Sequence, residues 1–212
     1  MTRIYLVRHG QTVWNRELIF RGQADVPLND TGRKQAELAG EALKDVNLAA
    51  IYASPLSRAA ETAEAIARRQ NVSVGADPAF NDFDCGRFQG LTLEAAKGAF
   101  PDIYETWEKT PHLVRFPEGG SLHDVTNRAM PRLKELSEQH RGRNIAVVTH
   151  RVVLKVILCQ VLWGDNSHFW EVNLDTGSIS RIESEGDTFA VRRQNDTRHL
   201  RSMNADGAKT DF

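Results

Sequence analysis

Two short apolar runs, far apart in the chain, each stop on a histidine. The first is Ile4-Tyr5-Leu6-Val7, followed by Arg8-His9-Gly10. The second is Ile145-Ala146-Val147-Val148, followed by Thr149-His150-Arg151. Four apolar residues in a row, β-branched ones among them, predict a strand buried on both faces. Such strands belong to parallel sheets with helices on either side, and these sheets place ligand sites beyond the C-terminal ends of the strands. As neighbours in one sheet, the two runs bring both imidazoles to the same edge. A buried strand does not end on a guanidinium and an imidazole without a partner for them, because both are costly to bury. Gly10 is expected to permit a tight turn directly after His9.

The rest of the chain alternates helix and strand. Residues 13–23 are mixed and loop-like. Asn29-Asp30-Thr31-Gly32 is a helix-start signal, and Ala36, Ala39 and Leu43 fall at helical spacing within 33–43. Residues 48–53 predict a strand broken by Ser54-Pro55, and 57–69, rich in Ala and Glu, predict a helix. A short strand over 72–75, an irregular stretch over 78–90 and a short helix over 92–100 follow. Residues 102–120, with Trp107, Pro111, His112, Phe116 and Gly119-Gly120, are expected to form a cap or lid rather than core. Ser121 with Asp124 starts a long helix to about residue 139, with a kink expected at Pro131. An apolar helix over 152–162, strands over 178–182 and 189–193, and a polar tail from about 202 complete the pattern. The expected architecture is α/β: one domain over 1–212, a three-layer α/β/α sandwich with a mostly parallel central sheet and a small cap.

A formal net charge of −1 argues against a general nucleic-acid or anionic-membrane binder, and no stretch approaches a transmembrane span. The first apolar run is too short for a signal peptide and is cut by Arg8. Cys85 and Cys159 stand alone without C-x-x-C spacing, as in a reduced, cytoplasmic protein. Neither cysteine has an arginine six residues on, so the loop of a cysteine phosphatase is missing, and there is no H-E-x-x-H or P-loop. Asp82-Phe83-Asp84 has the spacing of the nucleophile loop of magnesium-dependent aspartyl phosphatases, but the residues before it make a poor strand.

Arg58 lies near the start of the helix after the 48–53 strand, and that helix opens on the same sheet edge. Two arginines around two histidines suit a phosphoryl dianion, whose oxygens match guanidinium forks. A neutral imidazole is a competent nucleophile at phosphorus, splitting the transfer into two steps. A carboxylic acid at the pocket mouth can give the leaving alkoxide its proton, and Asp82 and Asp84 are the candidates. His112, His123, His140 and His168 are expected on the surface or in the lid.

These residues carry a family resemblance. Leu6-Val7-Arg8-His9-Gly10-Gln11-Thr12 with Trp14-Asn15 resembles the opening motif of the histidine phosphatase superfamily, which includes cofactor-dependent phosphoglycerate mutases. Ser54-Pro55-Leu56-Ser57-Arg58-Ala59 and Val147-Val148-Thr149-His150 are similar to its second and third motifs, with Arg21-Gly22 and Leu28-Asn29 between. The resemblance implies His9 as phosphorylated nucleophile and Arg8, Arg58 and His150 as phosphoryl ligands. Asn15, Arg21 and Gly22 line the pocket, and neither metal nor cofactor is required. Aligning Gly86 and Gly90 puts Asp82 where the family usually has a glutamate acid, one methylene longer. Arg151 stands where many members have glycine. Thr197-Arg198-His199-Leu200 is similar to a C-terminal stretch near the substrate in metal-independent phosphoserine phosphatases, making His199 a further candidate. Mutases of this family carry longer insertions between the acid loop and the second histidine, so the short chain points to a phosphatase acting on a small phosphorylated metabolite. A mutase, or a slow phosphate-binding module of the same fold, is the alternative. The sequence leaves the exact substrate and the oligomeric state open, a homodimer included.

Overall fold

The computed structural model describes residues 1–203, so most of the expected polar tail, 204–212, lies outside the described residues. In chain order the elements are β1 (Thr2–Arg8), α1 (Val13–Arg16), α2 (Asp30–Leu43), β2 (Leu48–Ala53), α3 (Ser57–Ala67), β3 (Val74–Ala76), α4 (Leu93–Ala99), α5 (Pro101–Lys109), α6 (Leu122–Gln139), β4 (Asn144–Thr149), α7 (Arg151–Trp163), β5 (Ile179–Glu185) and β6 (Thr188–Asp196). The strands form one sheet in the order β3-β2-β4-β1-β5-β6. The first four run parallel, and β5 and β6 are antiparallel additions beside β1.

The period of two along a strand divides the core. Ile4, Leu6, Ile145 and Val147 join an apolar cluster with α6 and α7 residues such as Leu133, Leu136, Val153 and Ile157. Their neighbours Val7, Ala146 and Val148 join a second cluster with Ala39 and Leu43 of α2 and Ala59, Ala63 and Ile66 of α3. Both sheet faces are therefore covered, which is why the strands are apolar throughout rather than alternating. The result is the expected three-layer α/β/α arrangement with a mostly parallel sheet. In α7, residues 153, 154 and 156–159 are all buried apolar side chains, so over 151–159 this helix has almost no solvent face. It stops at Gly164, whose φ of 81° supplies the left-handed cap.

Four details depart from expectation. Residues 13–16 form a helical turn rather than loop, because Thr12 and Asn15 build a reciprocal capping box. The 102–120 segment is not set apart from the core: Tyr104, Trp107, Val114 and Phe116 are buried in the main apolar cluster. Tyr104 and Trp107, three apart, form the buried face of α5, and ring contacts of Trp107 and Phe116 with Phe83, Phe88 and Phe169 seat the segment in the core. His140, expected on the surface, is buried, and its Nε2 meets the Tyr52 hydroxyl at 2.8 Å. Gly10 is needed for close approach rather than an unusual φ: a Cβ there would lie 2.3 Å from the Gly32 carbonyl oxygen.

No helix among the described residues is long and apolar enough to cross a membrane.

Candidate active site

The parallel β1–β4 pairing sets Arg8 opposite Thr149, so the next residue on each strand is a histidine. The His9 amide continues the ladder by donating to the Thr149 carbonyl at 3.0 Å. The two imidazoles consequently leave the sheet side by side, with ring centroids 5.1 Å apart. His9, His150, Arg8 and Arg58 are all buried, with exposures of 1% or less.

Each imidazole has a defined role in its hydrogen bonds. His9 Nδ1 lies 2.7 Å from the Gly10 carbonyl oxygen. A carbonyl only accepts, so Nδ1 carries the proton and Nε2 keeps its lone pair. Arg58 Nε donates to His150 Nδ1 at 3.2 Å, which leaves His150 Nε2–H to donate to Ser54 Oγ at 2.8 Å. Burial holds His9 well below the usual imidazole range, reinforced by His150, Arg58 and Arg8. Burial does the same to His150, with Arg58 and Arg21 adding to it. Both rings are neutral at neutral pH.

Arg58 ties the loops together. Its Nη1 donates to the Ala24 carbonyl at 2.7 Å, and its Nη2 to Gly22 at 2.9 Å and to Asp82 Oδ2 at 2.9 Å. The same Asp82 oxygen is 3.4 Å from His150 Nδ1. The segment that carries Asp82 is pinned at every step: Thr149 Oγ1 donates to Phe80 O at 2.6 Å, Ser54 Oγ to Asn81 Oδ1 at 3.1 Å, and Arg128 Nη2 to Asp82 O at 3.0 Å. Of the two carboxylates left open by the sequence, the fold brings Asp82 into the cluster. Asp84 is exposed, and its Oδ1 accepts the Gly86 amide at 2.9 Å. This acid segment follows a 3-10 turn at Pro78–Phe80 rather than a strand, so the Asp-x-Asp spacing lacks the setting an aspartyl nucleophile needs.

Beyond these groups the cavity has a cationic and an aromatic wall. Arg8 Nη1 donates to the Leu174 carbonyl at 2.6 Å, and burial with Arg151 and Arg21 nearby pulls Arg8 down while Asp175 opposes. His9, Arg21, Gly22, Asp82 and Arg151 line a narrow cavity closed by Ile19, Phe20, Phe83, Trp107 and Val152. Burial brings Arg21 down to about 10 and Arg151 to about 9. The Arg151 guanidinium lies 5.7 Å from the centroid of Trp170. One helical turn on, Lys155 donates to Phe169 O at 3.1 Å and sits 4.5 Å from the Trp170 centroid. Burial, then Arg151 and Arg8, push this lysine down to about 6. Cys85 also lines the cavity, but burial pushes its thiol upward, the opposite of what a thiolate nucleophile needs.

Two candidates are placed differently from the rest. Asn15 is fully buried, with its side-chain oxygen receiving Thr12 N at 2.8 Å and Thr12 Oγ1 at 2.9 Å. His199 stands outside the cluster, lining a separate cavity with Tyr5, Leu43 and Arg181. Its Nε2 meets the Gly177 carbonyl at 3.0 Å, and the Gly177 amide donates to His9 O at 3.1 Å. Reasoning from sequence missed Lys155 and the linking role of Ser54. The signal for Lys155 was its spacing of four from Arg151 in an otherwise apolar helix.

Comparison with known proteins gives one answer. A family model, the histidine phosphatase superfamily (branch 1), matches residues 4–197. The chain is 34% identical to Phosphoserine phosphatase 1 of Hydrogenobacter thermophilus, over 94% of its own length and 95% of that protein. It is 29% identical to the metal-independent phosphoserine phosphatase of Arabidopsis thaliana, over 96% of its length and 85% of that protein. Among solved structures, Bacillus stearothermophilus YhfR superposes with a TM-score of 0.90 at 32% identity, covering 94% of this chain and 100% of that one. Family model, relatives and superposed structure agree, and the chain belongs to the histidine phosphatase superfamily, branch 1.

Proposed function

We propose that this chain is a metal-independent phosphomonoesterase that hydrolyses a small phosphorylated metabolite through a phosphohistidine on His9. The observation that carries the reading is a neutral His9 with its Nε2 lone pair, 5.1 Å between ring centroids from His150, with Arg8, Arg58 and Asp82 around it. Two relatives named phosphoserine phosphatase support the hydrolytic outcome. Arg8 and Arg58 offset the charge of the phosphoryl dianion, and that charge favours a proton on His150 Nδ1, which then donates to the phosphoryl group in place of accepting from Arg58. His9 Nε2 attacks phosphorus as the bond to the leaving oxygen breaks, and Asp82 gives that oxygen a proton. Water then attacks the phosphohistidine, Asp82 takes back a proton, and the P–N bond breaks to release inorganic phosphate. In the resting site Arg58 is paired with Asp82. An incoming dianion competes for that guanidinium, and the carboxylate it releases takes up a proton from solvent beside the dianion, which is the proton it then gives to the leaving oxygen.

The test is to mix the enzyme with phosphoserine in excess EDTA, quench within one turnover and map the phosphoryl group by mass spectrometry. The expected result is a phosphorylated His9 peptide and one inorganic phosphate per alcohol, both lost in His9→Ala with the fold intact. Label on Asp82 or Asp84, or activity that EDTA abolishes, overturns the reading. So does 3-phosphoglycerate giving 2-phosphoglycerate without phosphate.

A further inference from the structure

Arg8 and His9 share one support, the loop over 174–178. The Leu174 carbonyl accepts Arg8 Nη1 at 2.6 Å, and the Ser178 carbonyl accepts the Arg8 amide at 3.0 Å. The Gly177 amide donates to the His9 carbonyl at 3.1 Å. Asp175 of the same loop also supports the charge of the site. Burial lowers the pKa of the Arg8 guanidinium, with Arg151 and Arg21 adding to it, and of the two carboxylates that oppose them Asp175 does more than Asp82.

Two amide side chains fix this loop. From α2, Gln35 Nε2 donates to Thr176 Oγ1 at 3.0 Å. From β6, Asn195 makes a reciprocal pair with Asp175: its Oδ1 accepts the Asp175 amide at 2.8 Å, and its Nδ2 donates to Asp175 Oδ2 at 3.0 Å. A backbone N–H donates and a carboxylate accepts, so a carboxamide serves both. The strand is bent to deliver it. Between the pairs Ile179–Asp196 and Arg181–Arg193, β5 contributes one residue and β6 two, which is a β-bulge. Asn195 sits in that bulge at a left-handed φ of 51°, a conformation Asn adopts more readily than most residues. Bulges beside functional sites re-aim a side chain, and a rare backbone conformation held by its surroundings points to a role.

We infer that Asn195 is a positioning residue for Arg8: through Asp175 and the 174–178 loop it holds the Arg8 guanidinium where a phosphoryl dianion meets it. The inference rests on the reading of Arg8 as a phosphoryl ligand. It extends that reading to a residue of the last strand that does not line the cavity.

Asn195→Gly removes both side-chain hydrogen bonds and keeps the left-handed backbone without steric cost. Asn195→Asp keeps an acceptor for the Asp175 amide but sets a second carboxylate against Asp175. Phosphate affinity is read by calorimetric titration with inorganic phosphate, and kcat/KM with p-nitrophenyl phosphate, each beside Tm. Asn195→Gly is expected to weaken both by about 5- to 10-fold, the worth of an ordinary hydrogen bond. Asn195→Asp is expected to lose more at about pH 8, and its kcat/KM relative to wild type to recover at about pH 5.5, because two facing carboxylates that share one proton reproduce the donor and acceptor of the Asn–Asp pair. Asp196, held by Arg193 and Arg198, and half-buried His199 are common to both proteins and cancel in that ratio. Ser184→Ala, which removes the 3.1 Å contact to Ser137 near the far end of β5, is the control: a lower Tm with unchanged phosphate affinity. Asn195→Gly with wild-type phosphate affinity, or Asn195→Asp whose losses follow Tm and ignore pH, overturns the inference while phosphatase activity stands. A wild type that binds phosphate but hydrolyses nothing sinks the phosphatase reading alone, and weaker phosphate binding by Asn195→Gly then still supports the positioning role. A wild type that binds no phosphate overturns both.

Discussion

At the scale of single residues the acid is where this chain is least ordinary. An aspartate reaches one methylene less far than a glutamate, and the segment that carries Asp82 is held against the site by hydrogen bonds. Thr149 and Ser54 hold residues 80 and 81, and Arg128 holds the Asp82 backbone, so the short carboxylate still comes within 2.9 Å of Arg58. Asp82→Asn keeps the size and a hydrogen-bonding oxygen but has no proton to give to an alkoxide. The expected result is a fall in kcat of about 10²- to 10⁴-fold on alkyl phosphates, the usual worth of general acid catalysis. On p-nitrophenyl phosphate, whose leaving group barely needs a proton, the fall is much smaller. Equal losses on the two substrates in steady-state assays remove Asp82 from the role. The residues that make up this site were largely legible beforehand, because Arg8-His9, Arg58 and His150 sit in motifs at strand and helix ends. Between Asp82 and Asp84 the alignment of Gly86 and Gly90 pointed to Asp82, but the physical reason for it was not legible. Both lie in an irregular stretch, and long-range hydrogen bonds from Ser54, from Thr149 of β4 and from Arg128 of α6 hold Asp82 inward. Lys155 escaped notice for a related reason: in sequence it is one charge in an apolar helix, and its partners Phe169 and Trp170 arrive from a later loop.

At the scale of elements, the site depends on how tightly α2 closes onto the loop after β1. A Cβ on Gly32 would lie 2.1 Å from the Gln11 carbonyl oxygen, a distance no packing adjustment of side chains relieves. The loop there is clamped by Gln35 Oε1, which receives Gln11 N at 2.8 Å, and by Asn29, which caps α2 at Gly32 N at 2.8 Å. Gly32→Ala therefore pushes the first turn of α2 away from the backbone that carries His9. The expected cost is about 1–3 kcal/mol or somewhat more, read as a lower Tm, together with a marked loss of kcat. Gly98 in α4 is the control. A Cβ there meets nothing within 4 Å, so Gly98→Ala gains up to about 1 kcal/mol from helix propensity alone. A Gly32→Ala protein as stable and active as the wild type contradicts this account of the junction. The helix-start signal at Asn29 was readable, as were the boundaries of β2 and β4, because local capping and apolar runs fix them. The inward packing of 102–120 was not: Tyr104 and Trp107 fall at helical spacing in α5, but the rings that Trp107 and Phe116 meet come from other parts of the chain.

At the scale of the whole molecule, the site couples acid stability to ligand binding. His9 and His150 are both held well below the usual imidazole range by burial and by the surrounding arginines. An unfolded chain takes up protons on these rings as pH falls through about 6.5, and the folded chain does not. The unfolded state then binds more protons, so the stability that these two rings contribute is fully present above about pH 6.5 and is lost as pH falls below it. Two rings give a limiting slope of about 2.7 kcal/mol per pH unit. Glu183, held low by Arg192, gives way only at more acid pH, whereas Lys155, held at about 6, and His140 and His199, also held low by burial, contribute in or next to the window between about pH 5 and 6.5, so the share that belongs to the site is the part of the slope that an anion and His150→Gln change. Sulfate keeps its double negative charge throughout this window and suits the same guanidiniums as a phosphoryl group. Bound there, it favours protonated imidazoles in the folded state, raises proton uptake by the native protein and shrinks the slope, besides adding stability by mass action. Urea unfolding at a series of pH values, with and without saturating sulfate, is expected to give a steep loss below pH 6.5 without the anion and a shallower one with it. His150→Gln is expected to remove part of the slope in the anion-free series. An anion-free protein with no pH dependence above pH 5, or a slope that sulfate and His150→Gln both leave untouched, would mean that the two imidazoles are not buried together in an anion-binding pocket.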